Sequence, residues 1–125
     1  EMDVTPLAVD FGEVEMETAT QTIVQVSNIG HAPLDVDITI TNCNAATPWL
    51  SLDWYSTTVA TGDCEQLTVS ADMAGMVDGV YTCELYFVSN DPQRPDMTVP
   101  VRIEVIPEPV AGVVLLGLLA LFRRR

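Results

Sequence analysis

Three cysteines and one histidine are the side chains in this sequence best suited to nucleophilic or soft-metal chemistry: Cys43, Cys64, Cys83 and His31. A structural zinc site needs four such ligands, usually with a CxxC pair, and no two cysteines here are so spaced. A catalytic thiolate needs a base within hydrogen-bond reach. His31 sits in Gly30-His31-Ala32-Pro33, a turn sequence, and is expected to be an exposed turn residue rather than that base. The cysteines are therefore read as structural. An odd count fits one disulfide and one leftover thiol in an oxidising compartment. Cys43 and Cys64, at strand ends and bracketing the segment Trp49–Trp54, are the expected pair, with Cys43–Cys83 as the alternative. With the expected pairing Cys83 stays a buried thiol, a small hydrophobe in phase with Leu85 and Phe87.

The acids promise less chemistry than their number suggests. Asp35/Asp37 and Glu13/Glu15/Glu17 recur at strand spacing, which puts each set on a solvent face or in a loop. Glycoside hydrolysis needs two carboxyls across a cleft, one of them in an apolar setting. Asn90, Asp91 and Asp96 could share a loop of the oxygen-rich kind that calcium favours. Their spacing is not that of an EF-hand, and Asn90-Asp91-Pro92 is a turn signal by itself, so neither a metal nor a cofactor is expected. Trp54 and Tyr55 are the candidate carbohydrate contacts, through the stacking of aromatic faces on sugar rings, while Trp49 is read as core.

Charge narrows the partners. The 125 residues hold 18 acids against five arginines and no lysine, for a net charge of −13. Three of the arginines are Arg123, Arg124 and Arg125, so the body of the chain is more acidic still. Such a body repels phosphates, which excludes nucleic-acid binding.

The elements that must position these residues read as all-β. Apolar residues alternate with polar ones, and turn residues recur every ten or so positions. Strands are predicted at Leu7–Phe11, Thr20–Ser27, Leu34–Thr41, Leu50–Trp54, Glu65–Ala71, Gly79–Ser89 and Met97–Val105. Leu34, Val36, Ile38 and Ile40 share one face; so do Cys83, Leu85 and Phe87, and so do Val99, Val101, Ile103 and Val105. Seven short strands with one apolar face each pack most simply as two antiparallel sheets, a sandwich of immunoglobulin size spanning residues 1–106.

At Pro107 the pattern changes. Pro107, Glu108 and Pro109 form a stiff, extended entrance to Val110–Phe122, which is apolar throughout and is expected to be a short helix. Thirteen residues of helix rise roughly 20 Å, short of a hydrocarbon core of about 30 Å. Arg123–Arg125 then act as the membrane stop and set orientation, leaving the acidic body outside the cytoplasm. This order of Pro-Glu-Pro, apolar helix and terminal arginines resembles the PEP-CTERM sorting signal of Gram-negative bacteria. The resemblance implies that an exosortase, a membrane-embedded cysteine transpeptidase, recognises the tail and removes its apolar end. It also implies delivery from the inner membrane to the cell surface or extracellular matrix.

The body carries resemblances of its own. Leu7-Ala-Val-Asp-Phe-Gly12, Asn28-Ile-Gly-His-Ala-Pro-Leu34, Trp49-Leu-Ser-Leu52 and Ser89-Asn-Asp-Pro92 occur in the order seen in bacterial Ig-like modules of the Hydin-like and choice-of-anchor type. From Trp49 onward the sequence is also similar to BACON-type modules. Tyr81-Thr82-Cys83 resembles the tyrosine corner of immunoglobulin strands, but the strand Thr20–Ser27 lacks a cysteine, so the intersheet disulfide of that family cannot form. The expected function is a non-catalytic structural or interaction module of the cell surface or exopolymer matrix. The alternatives are a carbohydrate-binding module with an extracellular polysaccharide as partner, or the membrane-proximal stalk of a longer surface protein or enzyme. The opening Glu1-Met2-Asp3 has no secretion signal, so the chain is expected to be part of a longer precursor.

Overall fold

The alternating pattern resolves into nine strands in a computed structural model that describes residues 1–107. They are β1 (Met2–Thr5), β2 (Val9–Glu15), β3 (Ala19–Asn28), β4 (Leu34–Thr41), β5 (Leu50–Leu52), β6 (Ser56–Val59), β7 (Cys64–Asp72), β8 (Gly79–Ser89) and β9 (Asp96–Ile106). Four strands form one sheet in the order β1-β3-β7-β5, and five form the other in the order β2-β9-β8-β4-β6. Their inner faces meet in one continuous apolar cluster. The predicted inward phases hold: Leu34, Val36 and Ile38 are buried and Ile40 half-buried, and Cys83, Leu85 and Phe87 of β8 and Val99, Val101, Ile103 and Val105 of β9 are buried too; Leu67, Val69 and Ala71 of β7 join them. Successive side chains on a strand point to opposite faces, so a single apolar phase is enough to orient each strand.

Two strands go beyond the seven expected. β1 and β6 are four residues each, too short for alternation to register, and both lie at sheet edges. The expected Leu50–Trp54 strand ends at Leu52, because the chain leaves the smaller sheet there; Tyr55 already offers its carbonyl to the Ile38 amide in the larger one. The sandwich is also not wholly antiparallel. β1 runs antiparallel to β3, the chain crosses at Pro6-Leu7-Ala8, and β2 continues in the same direction beside β9, which makes that pair parallel. A bulge interrupts β2 between Asp10 and Glu13, where Gly12 takes φ +71° and donates its amide to Asp10 Oδ1 at 2.8 Å. The bulge shifts the phase by one residue, so that Val9, Phe11 and Val14 all reach the core. Pro100 is tolerated inside β9 because the β2 ladder begins only at Val101, leaving one side of Pro100 uncovered.

The disulfide is Cys43–Cys83, not the expected Cys43–Cys64. Cys64 opens β7 on the outer face of the smaller sheet, opposite Ser27, and is an exposed free thiol. Cys43 follows β4 in the other sheet, whose neighbour is β8. Regular continuation of the β4–β8 register past Thr41↔Glu84 would bring Asn42, rather than Cys43, opposite Cys83. Asn42 instead takes the left-handed backbone conformation (φ 54°), which breaks the alternation and delivers Cys43 to the Cys83 sulfur. Cys83 is therefore buried as expected, but not as a thiol. The Tyr81 hydroxyl does close back on the Val77 carbonyl at 2.6 Å, in the manner of a tyrosine corner.

Among the described residues no helix is long and apolar enough to cross a membrane. The expected helix at 110–122, with Glu108, Pro109 and Arg123–Arg125, lies outside them. Pro107, the last described residue, is exposed and follows directly on the end of β9.

Replacing Cys43 and Cys83 together by Ala is expected to lower unfolding free energy by about 2–4 kcal/mol through loss of a long-loop cross-link. Cys64→Ser should leave it within about 0.5 kcal/mol, as for an ordinary surface change. Urea unfolding of the three proteins distinguishes the observed pairing from Cys43–Cys64, which would reverse the Cys64 result.

Candidate interaction surface

One end of the sandwich is closed by polar groups that bridge the sheets, the other by an aromatic pair and a ladder extension within one sheet. At one end Asn28, the last residue of β3, is buried. Its Nδ2 donates to the carbonyls of Val59 (3.0 Å) and Ala32 (2.7 Å), and its Oδ1 accepts from the Gly30 amide at 3.0 Å. Val59 belongs to the other sheet, so one side chain ties β3 to β6 while shaping the turn between β3 and β4. Beside it Asp91, in the β8–β9 loop, accepts from the amides of Met2 (2.8 Å) and Gln93 (2.9 Å). The sequence reads both residues as turn formers; their burial as sheet-to-sheet clamps was not legible there. Between the two loops lies a concavity of about 370 Å³ that includes Ile29, His31, Pro33 and Gln93. His31 is exposed at its mouth, as a turn residue should be.

At the opposite end Trp49 is buried at 3% exposure, in line with its reading as core. Its ring packs against Tyr81, with centroids 6.4 Å apart and planes tilted by 57°. Asn44 extends the β4–β8 ladder past the disulfide: its Oδ1 accepts from the Thr82 amide and its Nδ2 donates to the Val80 carbonyl, each at 3.0 Å. The oxygens once weighed for calcium are spent separately. Asn90 Oδ1 accepts from the Asp35 amide, Asp96 accepts from the Tyr86 hydroxyl at 2.9 Å, and Asp91 serves the clamp. Among the described residues no three His, Cys, Asp or Glu side chains gather as a metal site.

The two outer faces differ in charge. On the five-stranded sheet the solvent phase carries Asp35 and Asp37 of β4, Glu84 of β8, and Arg102 and Glu104 of β9. Most of these are engaged: Asp35 accepts from Thr58 Oγ1 at 2.7 Å, Glu84 from Asn42 at 2.6 Å, and Arg102 pairs with Glu104 (3.3 Å) and Asp10 (3.6 Å). The hydrogen bond from Tyr86 to Asp96, with the negative charge behind it, holds the Tyr86 phenol above its ordinary value. On the four-stranded sheet the outward residues along the middle of the two central strands are Gln21, Ile23, Gln25 and Ser27 on β3, and Gln66, Thr68 and Ser70 on β7, none of them charged; Asp72, in the same phase, ends β7.

The candidate carbohydrate contacts lie at the flank of that uncharged face. Trp54 is half-buried against the core, its Nε1 donating to the Gln66 carbonyl at 3.0 Å. Tyr55 is 48% exposed, with its hydroxyl accepting from the Leu52 amide at 3.3 Å. Both lie on the stretch where the chain crosses from one sheet to the other.

Comparison with known proteins fits this architecture. The family model described as HYDIN/CFA65/VesB-like, Ig-like domain matches residues 1–104. No curated protein matches the chain. Among solved structures, the ASH/PapD-like domain of human CEP192 is similar over 86% of this chain and 87% of its own, at TM-score 0.72 and 8% identity. A protein of unknown function from Porphyromonas gingivalis is similar at TM-score 0.66 and 22% identity, over 82% of this chain and 46% of its own. The CsuC–CsuE chaperone–tip adhesion subunit complex from the Csu pili of Acinetobacter baumannii gives TM-score 0.65 and 12% identity, over 84% of this chain and 52% of that one. At such identities these likenesses speak to fold alone.

The Asp91 clamp has a pH signature. The Gln93 amide and then the Met2 amide hold its carboxyl below the usual carboxylate range, against burial, which pushes it up. A depressed folded value means that the clamp contributes fully above the unfolded value, about 3.9, and is lost as pH falls through the folded one. Asp91→Asn is therefore expected to melt below the parent at pH 7, with the gap closing toward pH 2. Melting curves across that range check it; a constant gap would show that Asp91 acts without its charge.

Proposed function

The chain belongs to the HYDIN/CFA65/VesB-like Ig-like domain family, and on that premise we propose that it is the non-catalytic interaction module of an exported protein. Its C-terminal segment serves as the sorting address. An exosortase-type transpeptidase takes Pro107-Glu108-Pro109 as its recognition element, residues 110–122 hold the precursor in the inner membrane, and Arg123–Arg125 anchor the cytoplasmic side. The mature product is displayed on the cell surface or in the extracellular matrix.

The observation that supports this reading is where the last described strand ends. β9 completes its ladder at Ile106, paired with Glu15 of β2, and the Pro-Glu-Pro element begins at the next residue. Cleavage anywhere beyond Pro107 leaves every described strand and the disulfide intact. The Cys43–Cys83 bond adds support, because such bonds persist outside the reducing cytosol. An interaction role is supported by the architecture: the buried Asn28 and Asp91 are committed to the frame, and the distinctive surface is an open sheet face rather than a cleft.

Intact-mass analysis of the exported protein tests the sorting. The expected product retains the sandwich and lacks Arg123–Arg125, and replacing Pro107, Glu108 and Pro109 together by Ala leaves the precursor in the membrane fraction. Finding Arg125 still attached to the mature surface protein would overturn the reading.

A further inference from the structure

The uncharged outer face of the four-stranded sheet is the part of this molecule built to be covered, and we propose that it binds a neutral polysaccharide chain. The inference rests on the surface-module reading above and names its partner. Three cross-strand ranks make the face. Thr5, Gln25 and Gln66 form the first, Ile23 and Thr68 the second, and Gln21, Ser70 and Ser51 the third. In a chain with 18 acids, the described carboxylates in this outward phase stand at its outer positions: Asp3 on β1, Asp72 at the end of β7, and Asp53 just past β5, where its Oδ1 accepts from the Thr68 amide at 2.8 Å. Covering a charged side chain requires stripping its water at high cost, whereas amides and hydroxyls can exchange water for a partner's hydroxyls at little net loss. This face is therefore the one that a ligand covers most cheaply.

The chemistry of the face selects the ligand. Primary amides and hydroxyls each donate and accept, as the hydroxyls of a sugar do. Those of Gln21, Ser51, Gln66, Thr68 and Ser70 form no side-chain hydrogen bond among the described residues; the one such bond on the face is Gln25 Nε2 to Cys64 Sγ at 3.0 Å. On the acidic sheet, by contrast, Asp35, Glu84, Arg102 and Glu104 are each paired with a neighbouring polar side chain. Ile23, 44% exposed in the middle rank, supplies an apolar point for the C–H face of a ring, and Trp54 borders the face beside Gln66. An open sheet face accommodates an extended chain lying across the ranks rather than a single sugar enclosed in a pocket. The net charge of −13 turns away anionic polymers, and the middle of the face offers a cationic one no carboxylate to pair with, which leaves a neutral chain.

The test is affinity electrophoresis of the full chain, in a non-ionic detergent, through gels containing neutral glucans, galactomannan or anionic alginate. Retardation is expected from at least one neutral polymer and not from alginate. The double substitution Gln25→Glu/Thr68→Glu should weaken it at least about tenfold, because each new carboxylate must be desolvated when covered. Thr39→Glu, on the opposite sheet, should leave it unchanged, with melting temperature controlling for folding in both. A second readout is the Cys64 thiol, exposed at the corner of the face: bound polymer should slow its reaction with a water-soluble disulfide reagent. Retardation by no neutral polymer, retardation that survives the double substitution, or a dimer in sedimentation that the double substitution abolishes would each overturn the proposal, the last by assigning the face to a second copy of the chain. Because the assay uses purified protein, its failure is separate from a failure of tail processing, which only the mass of the exported product reports.

Discussion

Two sheets of unequal width must be kept face to face around one apolar interior, and the remaining features of the molecule follow from that constraint. A fully buried Val, Leu, Ile, Phe or Met contributes about 1.5–3 kcal/mol. The inward ranks of the paired strands β8 and β9, with Leu85, Phe87, Val99, Val101 and Ile103 all at or near zero exposure, therefore outweigh a disulfide of about 2–4 kcal/mol. The disulfide adds to a core that already determines which strands meet. Its place at the end of β4, where β6 no longer protects the edge, is where the ladder would otherwise fray.

Closing the sandwich also decides where polar groups can be buried. Asn28 and Asp91 sit where strands give way to turns, and there backbone amides and carbonyls lose their ladder partners. One side chain amide and one carboxylate satisfy several of these at once, joining β3 to β6 and the β8–β9 loop to β1. Because both are committed to the frame, neither is available for chemistry. The surface left for interaction is then the outer side of the sheets, and there the partition of charge matters most. Most of the acids on the broad sheet are tethered by neighbouring polar side chains, and the middle of the narrow sheet presents neutral groups most of whose side-chain hydrogen bonds are unspent.

The strand phases could be read from the chain because each depends only on neighbours two residues apart. Leu34-Asp35-Val36-Asp37-Ile38 announces its own buried side, and so does Val99 through Val105. The edge strands β1 and β6 could not, since four residues hold too little pattern and their stability comes from β3 and β4 beside them. The parallel β2–β9 pairing was hidden for a related reason: it depends on the chain changing sheets at Pro6, which local alternation does not encode. The uncharged face was half visible. Gln21, Gln25, Gln66 and Thr68 can each be seen to point outward, but that they form one surface follows only from the pairing of β3 with β7.

By itself the sequence determined the all-β character, the inward phase of the long strands, the acidity and the apolar composition of residues 110–122, because these are properties of composition and short-range order. Tertiary structure alone decided that Cys43 joins Cys83 and leaves Cys64 outside, since one left-handed residue at Asn42 overrides the expected alternation. It likewise decided that Asn28 and Asp91 are clamps and that the neutral side chains of β3 and β7 make a continuous face. Those outcomes depend on which distant strands lie side by side, and no local pattern in the chain specifies that.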